Sequence, residues 1–536
     1  MSRIYKAIAC FLAIALLAAC GQKEPINEIP DQPQGYAQLL TAYQAGYVYQ
    51  SARKSGDATT VFFTNGRDIE VTGFRIHDCT SSRPSYVGLS KESGMWVIDG
   101  QLCGIRDHSY LPDEQAVPVY AYYDNTLHIY VSNGTVIEFE RDHSNDPRKF
   151  TMPAVRVNTD GGAQIKDTEN YVPGTASFED PDKVYSDVSI LQCRTQIRGR
   201  GNSTWGMPKK PYKIQLDEKN EVFGLDKNKS WCVLANYADK SLLRNMVGME
   251  ISRIMEFSWT PQMFNVDFYL NGRYQGVYTF AQHKKVDKNR VNIDTKNEGY
   301  YLEIEQSIDE PCYFWTSKGL PILFKDPENP TQEQQKYIKD YFNSFEAALF
   351  GPDFKDPVDG YRKYIDMKSF VDNYIIQELA KNIDGNTRKS SALTKEKGKK
   401  LEFYHVWDFD LSFGNADYFD GSVGNGPYGW WIKDFGPNGR GSGWYPRLMQ
   451  DPSFVKAVQN RWNELLPQLR TIPAFIDRTA AEMGDAPARN FNTWKILSIY
   501  VWPNVKVTGS YDAEVEYLKE FYTQRLEWLD KQINAL

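Results

Sequence analysis

The run Val406-Trp407-Asp408-Phe409-Asp410-Leu411-Ser412-Phe413-Gly414-Asn415 constrains this chain most. In an extended segment, residues two apart face the same side, so Asp408 and Asp410 are expected to present two carboxylates together at the end of a strand. Oxygen ligands of this kind suit magnesium, calcium or manganese. Magnesium commonly takes one or two carboxylates together with substrate phosphates. A phosphate-bearing substrate is the first expectation; the alternative is a pair of aspartates that cap a turn after an apolar strand.

At 536 residues the chain exceeds the roughly 250–300 at which a single core stops growing, so more than one domain is expected. Its net charge of -7 argues against a nucleic-acid binder. Arg3 and Lys6 precede the apolar run from Ala7 to Ala19, which is long enough for an export signal and too short to span a bilayer. The run ends in Leu17-Ala18-Ala19-Cys20-Gly21, which resembles a bacterial lipobox; that resemblance implies a signal peptide over 1–19 and a lipidated Cys20 as the mature N-terminus. Acylation would anchor the protein to a membrane of the cell envelope, with residues 20–35, rich in Pro, Glu and Gln, as a tether. Five further cysteines follow, Cys79, Cys103, Cys193, Cys232 and Cys312, and Cys79 with Cys103 is one candidate disulfide in an exported protein. No CxxC, HExxH, GxSxG or GxxxxGK[ST] pattern occurs, which excludes the commonest zinc, serine hydrolase and P-loop readings.

Short alternating runs between about Tyr47 and Arg141, separated by Asn-Gly, Asp-Gly and Asp-Asn turn signals, predict a small β-rich domain over 36–146. A polar loop at Asp142–Pro147 then leads into a second domain over 150–536. There, Ile197-Arg198-Gly199-Arg200-Gly201-Asn202-Ser203-Thr204-Trp205-Gly206 predicts a glycine-rich turn between strands, open enough for backbone N–H groups and two arginines to approach an anion. A tight hairpin without a ligand is the plainer reading. The next strand, Lys209-Lys210-Pro211-Tyr212-Lys213-Ile214-Gln215-Leu216, brings lysines on alternating faces. Apolar spacing over Leu242–Met255 predicts an amphipathic helix bearing Glu250, and Asn271-Gly272 predicts a hairpin between strands 264–270 and 276–282. Later, a helix through Val371–Ala380 runs into Asn382-Ile383-Asp384-Gly385-Asn386, with Gly385 expected to break it; a hairpin, 391–394 with 401–407, then delivers Asp408. Glycine loop, lysine strand, helix with a glutamate, strand pair, helix-terminal Asp and metal-binding Asp is the order in which protein kinases present these groups.

Four motifs carry a more specific resemblance: Arg198-Gly-Arg-Gly-Asn-Ser-Thr-Trp with Lys-Lys-Pro-Tyr-Lys213, Leu234-Ala-Asn-Tyr-Ala-Asp-Lys-Ser-Leu-Leu-Arg-Asn245, Tyr269-Leu-Asn-Gly-Arg-Tyr-Gln-Gly-Val-Tyr278, and Trp407-Asp-Phe-Asp-Leu-Ser-Phe-Gly-Asn415. In this order they resemble the CotH family of atypical kinases, related to spore coat protein H, over roughly residues 150–535. The resemblance implies an α+β chain, with a kinase-like bilobal domain after the small β-rich one. The implied activity is ATP- and Mg2+- or Mn2+-dependent phosphorylation of serines on exported or surface proteins. It further implies that Arg198, Gly199, Arg200, Gly201 and Asn202 cradle phosphate, that Lys210 or Lys213 holds it with Glu250 as partner, that Asp384 is the catalytic base, and that Asp408 binds the metal with Asp410 or Asn386. Differences from a typical kinase are Thr204 where a third glycine would stand, no His-Arg before Asp384, and no acidic residue in Ala281-Gln282-His283-Lys284-Lys285. A rival reading is a catalytically inactive surface lipoprotein of the same fold that binds glycans or proteins, with Gly426–Trp431 and Trp444-Tyr445 as an aromatic platform.

Overall fold

The computed structural model describes residues 33–536 except 56–57, 74–75, 79–86, 99, 113–114, 124–125, 140–146, 386, 418–424 and 434–442. The export signal, Cys20, Cys79 and Asn386 therefore lie outside the described residues. The chain divides into two compact units, residues 1–145 and 146–536. Both strands and helices are well represented, and the chain is of the α+β class.

Among its described residues, the first unit begins with a helix, Tyr36–Gln44, that the sequence pattern did not reveal. Its buried Tyr36, Leu39 and Leu40 pack with Val61, Phe63, Ile129 and Phe139. Those residues come from a three-stranded sheet (Tyr49–Ser55, Ala58–Phe63, Asp68–Thr72) and a four-stranded sheet (Val136–Phe139, Leu127–Val131, Pro118–Tyr123, Ile76–Asp78). A further three-stranded sheet combines Val87–Leu89, Met95–Ile98 and Gln101–Arg106.

In the second unit, elements are numbered from its start. Seven strands, β1 (Ala154–Thr159), β2 (Val172–Glu179), β3 (Ile190–Gly199), β4 (Tyr212–Val222), β5 (Leu225–Leu234), β6 (Met263–Leu270) and β7 (Arg273–Gln282), close into a barrel in the order β1-β2-β3-β4-β5-β7-β6. Closure comes from parallel pairing of β1 with β6, Ala154 opposite Asp267. Alternate inward residues such as Val155, Val157, Ile197, Ile214, Val233, Val266 and Phe280 fill its interior, as the period of two in each strand requires. Asn271 and Gly272, both with positive φ, make the tight turn between β6 and β7 that an Asn-Gly pair favours. Helix α1 (Arg244–Ile254) lies between β5 and β6 in the chain.

A second sheet contains β8 (Tyr300–Ile304), β9 (Tyr313–Trp315), β10 (Pro321–Asp326), β11 (Ser391–Lys395) and β12 (Glu402–His405), ordered β9-β10-β8-β11-β12. Helix α2 (Gln332–Phe350) starts at a capping box in which Thr331 and Gln334 satisfy each other's backbone N–H groups. Helix α3 (Met367–Ala380) is buried from Ser369 to its end, the pattern of a central helix rather than an amphipathic surface one. Against it pack α4 (Pro452–Leu469) and α7 (Tyr511–Asn534), while α5 (Ile472–Glu482) packs on α1 and α7 and α6 (Ala486–Thr493) on β7. Among the described residues, no helix is long and apolar enough to cross a membrane.

Candidate functional site

A cleft of about 940 Å³ opens in the second unit, lined by residues from β3 to β5, the exit of β7, β8, β10 and the segments that follow α3 and β12. Its basic wall is built by the β3–β4 hairpin. Register pairs Arg198 with Lys213 and Gly199 with Tyr212, so the two cationic side chains stand side by side on neighbouring strands. The connecting loop folds back on itself through a 3-10 turn, Ser203–Gly206. A Cβ at Gly199 would stand 2.5 Å from the Trp205 ring, and one at Gly201, whose φ is 81°, would stand 2.2 Å from Thr204 Oγ1. Both glycines are therefore needed for the loop's shape. Arg198, Arg200, Gly201, Asn202 and Lys213 line the cleft; Gly199 is not among the lining residues and acts by letting Trp205 pack.

Of the two candidate lysines, Lys213 faces the cleft. Lys210 turns away: its ammonium donates to the Trp205 carbonyl and lies 5.2 Å from the centre of that indole ring. Burial, with the neighbouring charges of Arg198, Arg200 and Lys325, holds the Lys213 ammonium below its usual range. Glu250 does not partner either lysine. Its carboxylate receives two hydrogen bonds from Arg253, one helical turn on, because an Arg three residues away on the same helix is within easy reach.

The acid that the pattern around Lys284 lacks comes from β8. Glu303, 3% exposed, accepts a hydrogen bond from Lys284 and lies 3.6 Å from the Lys325 ammonium, which also pairs with Glu310. Burial alone would raise the Glu303 carboxyl, but the charges of Lys284 and Lys325 overcome it and hold the group at about 2. All four side chains line the cleft. Sequence reasoning missed this network because its members are about 20 and 40 residues apart and meet only through sheet pairing; the one local signal was the Lys284-Lys285 pair itself.

The acidic wall differs from expectation in how it is built. Asp408 and Asp410 do not lie in a strand: β12 ends at His405, and Asp408 has φ 70°. Asp tolerates the left-handed region better than most residues, and the bend leaves Trp407 lining the cleft beside Arg200 while Phe409 packs inward. Trp407 packs with Cys232, Leu234 and Ala281, and Phe409 packs so closely on Gly248 of α1 that a Cβ there would lie 2.3 Å from the ring. Asn245 Oδ1 accepts the Phe409 N–H at 2.8 Å, and Asn415 Nδ2 donates to the Asp410 carbonyl at 2.7 Å. Both carboxylates line the cleft, and Ser390 Oγ donates to Asp408 Oδ2 at 3.3 Å.

Asp384 lines the same cleft. Helix α3 ends one residue before Lys381, whose own φ of 47° makes the break; Gly385 is required for a different reason, since a Cβ there would lie 2.2 Å from Gln377 Oε1. Desolvation raises the Asp384 carboxyl, and the Asp408 charge adds to it against Lys389 and Arg388. Asp410 is pushed well above the usual carboxylate range, by desolvation and then by the charges of Asp408, Asp239 and Asp384. The carboxylates of Asp384, Asp408 and Asp410, which repel one another, thus share one cleft with Arg198, Arg200 and Lys213. Among the described residues, no three His, Cys, Asp or Glu side chains are grouped to hold a metal by themselves.

Of the expected aromatic platform, Tyr428 is exposed and Trp430 half-buried, but the other three aromatic residues cannot contribute to it. Trp431, Trp444 and Tyr445 are buried in the core, and the backbone N–H groups of Trp431, Ile432 and Lys433 all donate to Glu378 of α3. No curated protein matches the chain. The family described as CotH kinase protein matches residues 197–529, from the glycine-loop strand to the C-terminal helix and more than half of the whole, and the chain belongs to that family.

Proposed function

We propose that this protein is an ATP-dependent protein serine kinase in which the barrel and the helical part act as the two lobes of a kinase-like arrangement. One observation carries the reading: Arg198, Arg200 and Lys213 share a single cleft with Asp384, Asp408 and Asp410. Two carboxylates with crowded negative charge, and no third fixed ligand among the described residues, fit Mg2+ or Mn2+ that completes its shell with phosphate oxygens. Asp408 and Asp410 would hold that ion, and the family resemblance adds Asn386. When bound, the ion would neutralise charge on the transferring phosphoryl group.

Arg198, Arg200 and Lys213 bind the triphosphate, and the loop over Gly201 and Asn202 closes on it. Asp384 orients the acceptor serine and takes its hydroxyl proton as the serine oxygen bonds to the γ-phosphorus. The bond from that phosphorus to the bridging oxygen breaks, and ADP leaves. Positioning and charge neutralisation supply most of the rate. The substrates are proteins of the same exported compartment, and Cys20 carries the lipid that holds the enzyme at the cell envelope. A Cys20→Ala variant should move from the membrane fraction to the soluble one.

The test of the site is a thermal-shift titration with ATP, with and without Mg2+ or Mn2+. The midpoint should rise only with metal, by mass action. The rise should vanish in Asp408→Ala and persist in Asp384→Ala. Full nucleotide affinity in Asp408→Ala would sink the assignment.

A further inference from the structure

The stretch Leu234–Asn245 has no part in phosphate or metal binding as described above, yet it borders the cleft. Asn236 is 8% exposed and lies in the left-handed region at φ 51°. Its Nδ2 donates to Thr279 Oγ1 at 2.7 Å; Thr279 donates to Asn265 Oδ1 at 2.8 Å, and Asn265 donates to the Leu242 carbonyl at 3.0 Å. This buried chain fixes which way the amide faces. Its Oδ1 makes no hydrogen bond among the described residues, although the residue lines the cleft. A buried acceptor held in place without a donor suits a ligand that supplies an N–H.

The neighbourhood says which ligand. Ser230 of β5 pairs with Gln215, and Trp231 pairs with Gln282 just before Lys284, so the Lys284–Glu303–Lys325 network lies toward the Ser230 end. Lys213 is opposite Cys232. Asn236 lies two residues beyond the other end of β5, about 20 Å from Ser230 at the usual rise per residue. Around it the cleft is lined by Ala235, Tyr237, Ala238, Leu411 and Trp502; Asp410 is tied to Ala238 through Asn415, and the Lys209 ammonium nearby already donates to the Val277 carbonyl and Asn490 Oδ1. The triphosphate belongs with Arg198, Arg200 and Lys213; the Asn236 end, with one unpaired amide oxygen and an aromatic rim, matches an extended polypeptide.

The rim is held firmly. Asn504 Nδ2 donates to the Ala238 carbonyl at 2.7 Å and to Asn415 Oδ1 at 2.9 Å. Val505 N–H donates to the Asn415 carbonyl and Lys240 to the Ile499 carbonyl. Asn415 in turn holds Asp410, so the segment that presents Ile499, Tyr500 and Trp502, each about half exposed, is fixed to the carboxylate loop.

We propose that this end of the cleft, remote from the Lys284–Glu303–Lys325 network, is the acceptor subsite. An extended serine-bearing polypeptide donates one backbone N–H to Asn236 Oδ1 and lays a bulky apolar side chain on Trp502 and Tyr237. The assignment rests on the kinase reading above and adds to it a substrate preference.

The test uses a positional-scanning library of serine-centred peptides with ATP and Mg2+, beside thermal-shift measurement of ATP binding. The protein should select a bulky apolar residue at one position flanking the serine, and Trp502→Ala should lose that selection. Asn236→Gly, which tolerates the left-handed backbone, should raise KM for the selected peptide about tenfold while ATP affinity stays unchanged. Unaltered selection in Trp502→Ala overturns the proposal. So does weakened ATP binding in Asn236→Gly, which would assign the amide to the nucleotide's amino group. If ATP binds with metal but no peptide is phosphorylated, the acceptor subsite is refuted while the nucleotide site stands. Absence of any ATP shift removes both. Because Trp502 is half exposed, its variant should fold even if that of Asn236 does not.

Discussion

Glu303 concentrates much of the cleft's electrostatics in one side chain. Glu303→Gln would leave Lys284 without its acid and Lys325 with Glu310 alone. A loss of about 3 kcal/mol of stability is expected in urea denaturation, since removing one member of a buried ion pair strands the other. His405 gives a second residue-scale prediction. Tyr301 donates to its Nε2 at 2.9 Å, and its Nδ1 donates to the Val406 carbonyl at 3.2 Å, so both nitrogens are satisfied in the neutral ring. Burial, with the nearby Lys284 charge, lowers the imidazole to about 4. The unfolded chain therefore binds this proton first as pH falls below about 6.5, and the stability contributed by the neutral ring is lost between about 6.5 and 4. His283, lowered by desolvation and by Lys213 and Arg200, acts in the same direction. Between pH 7 and 5, His405→Gln should lose about 2 kcal/mol less than the parent protein. Equal losses would show that His405 is protonated in the folded state.

At the scale of elements, α1 meets the carboxylate loop through one tight contact and two buried hydrogen bonds, from Arg244 to the Ser412 carbonyl and from the Phe409 N–H to Asn245 Oδ1. Gly248→Ala would drive a methyl group into the Phe409 ring, at a cost of about 1–3 kcal/mol. Because Phe409 separates Asp408 from Asp410, metal-dependent ATP binding should weaken more than the melting temperature suggests. Arg244 and Asp239, both fully buried, join at 2.6 Å, and Arg244 also donates to the Ser412 carbonyl. Helix α7 is tied to α3 in the same way, by Arg525 and Glu378 at 2.6 Å. Arg525→Met should destabilise by about 3–5 kcal/mol, since it leaves the Glu378 charge without its cation; a smaller loss in chemical denaturation would mean that the three backbone N–H donors at Glu378 suffice. Much at this scale was legible in sequence. The Asn-Gly turn, the apolar spacing of α1 and the hairpin before Asp408 are local signals, because turn chemistry and periodicity depend on neighbouring residues. The expected strand at Asp408 was not found, because a left-handed aspartate leaves no mark in an alternating pattern. The buried Trp431 and Trp444 were misread as a platform because composition does not tell a core aromatic from an exposed one.

For the whole molecule, the division between residues 145 and 146 carries its own prediction. Each unit has its own buried core, so a fragment over 146–536 should fold alone and keep the metal-dependent ATP shift. Loss of that shift in a folded fragment would overturn this expectation. The sequence by itself determined the motif order and, with the family resemblance, the mixed α+β class and most of the residues that face the cleft: Arg198, Arg200, Asp384, Asp408 and Asp410 were named outright, and Lys213 as one of two candidate lysines. It did so because backbone geometry, turn chemistry and charge are properties of short segments. Only the tertiary structure decided which lysine faces inward, that Glu303 rather than Glu250 pairs with a cleft lysine, that β1 closes the barrel against β6 about 110 residues away, and that Asn236 holds an acceptor oxygen without a donor. Those outcomes depend on sheet register and on packing between distant segments, where one residue's shift turns a side chain to the opposite face.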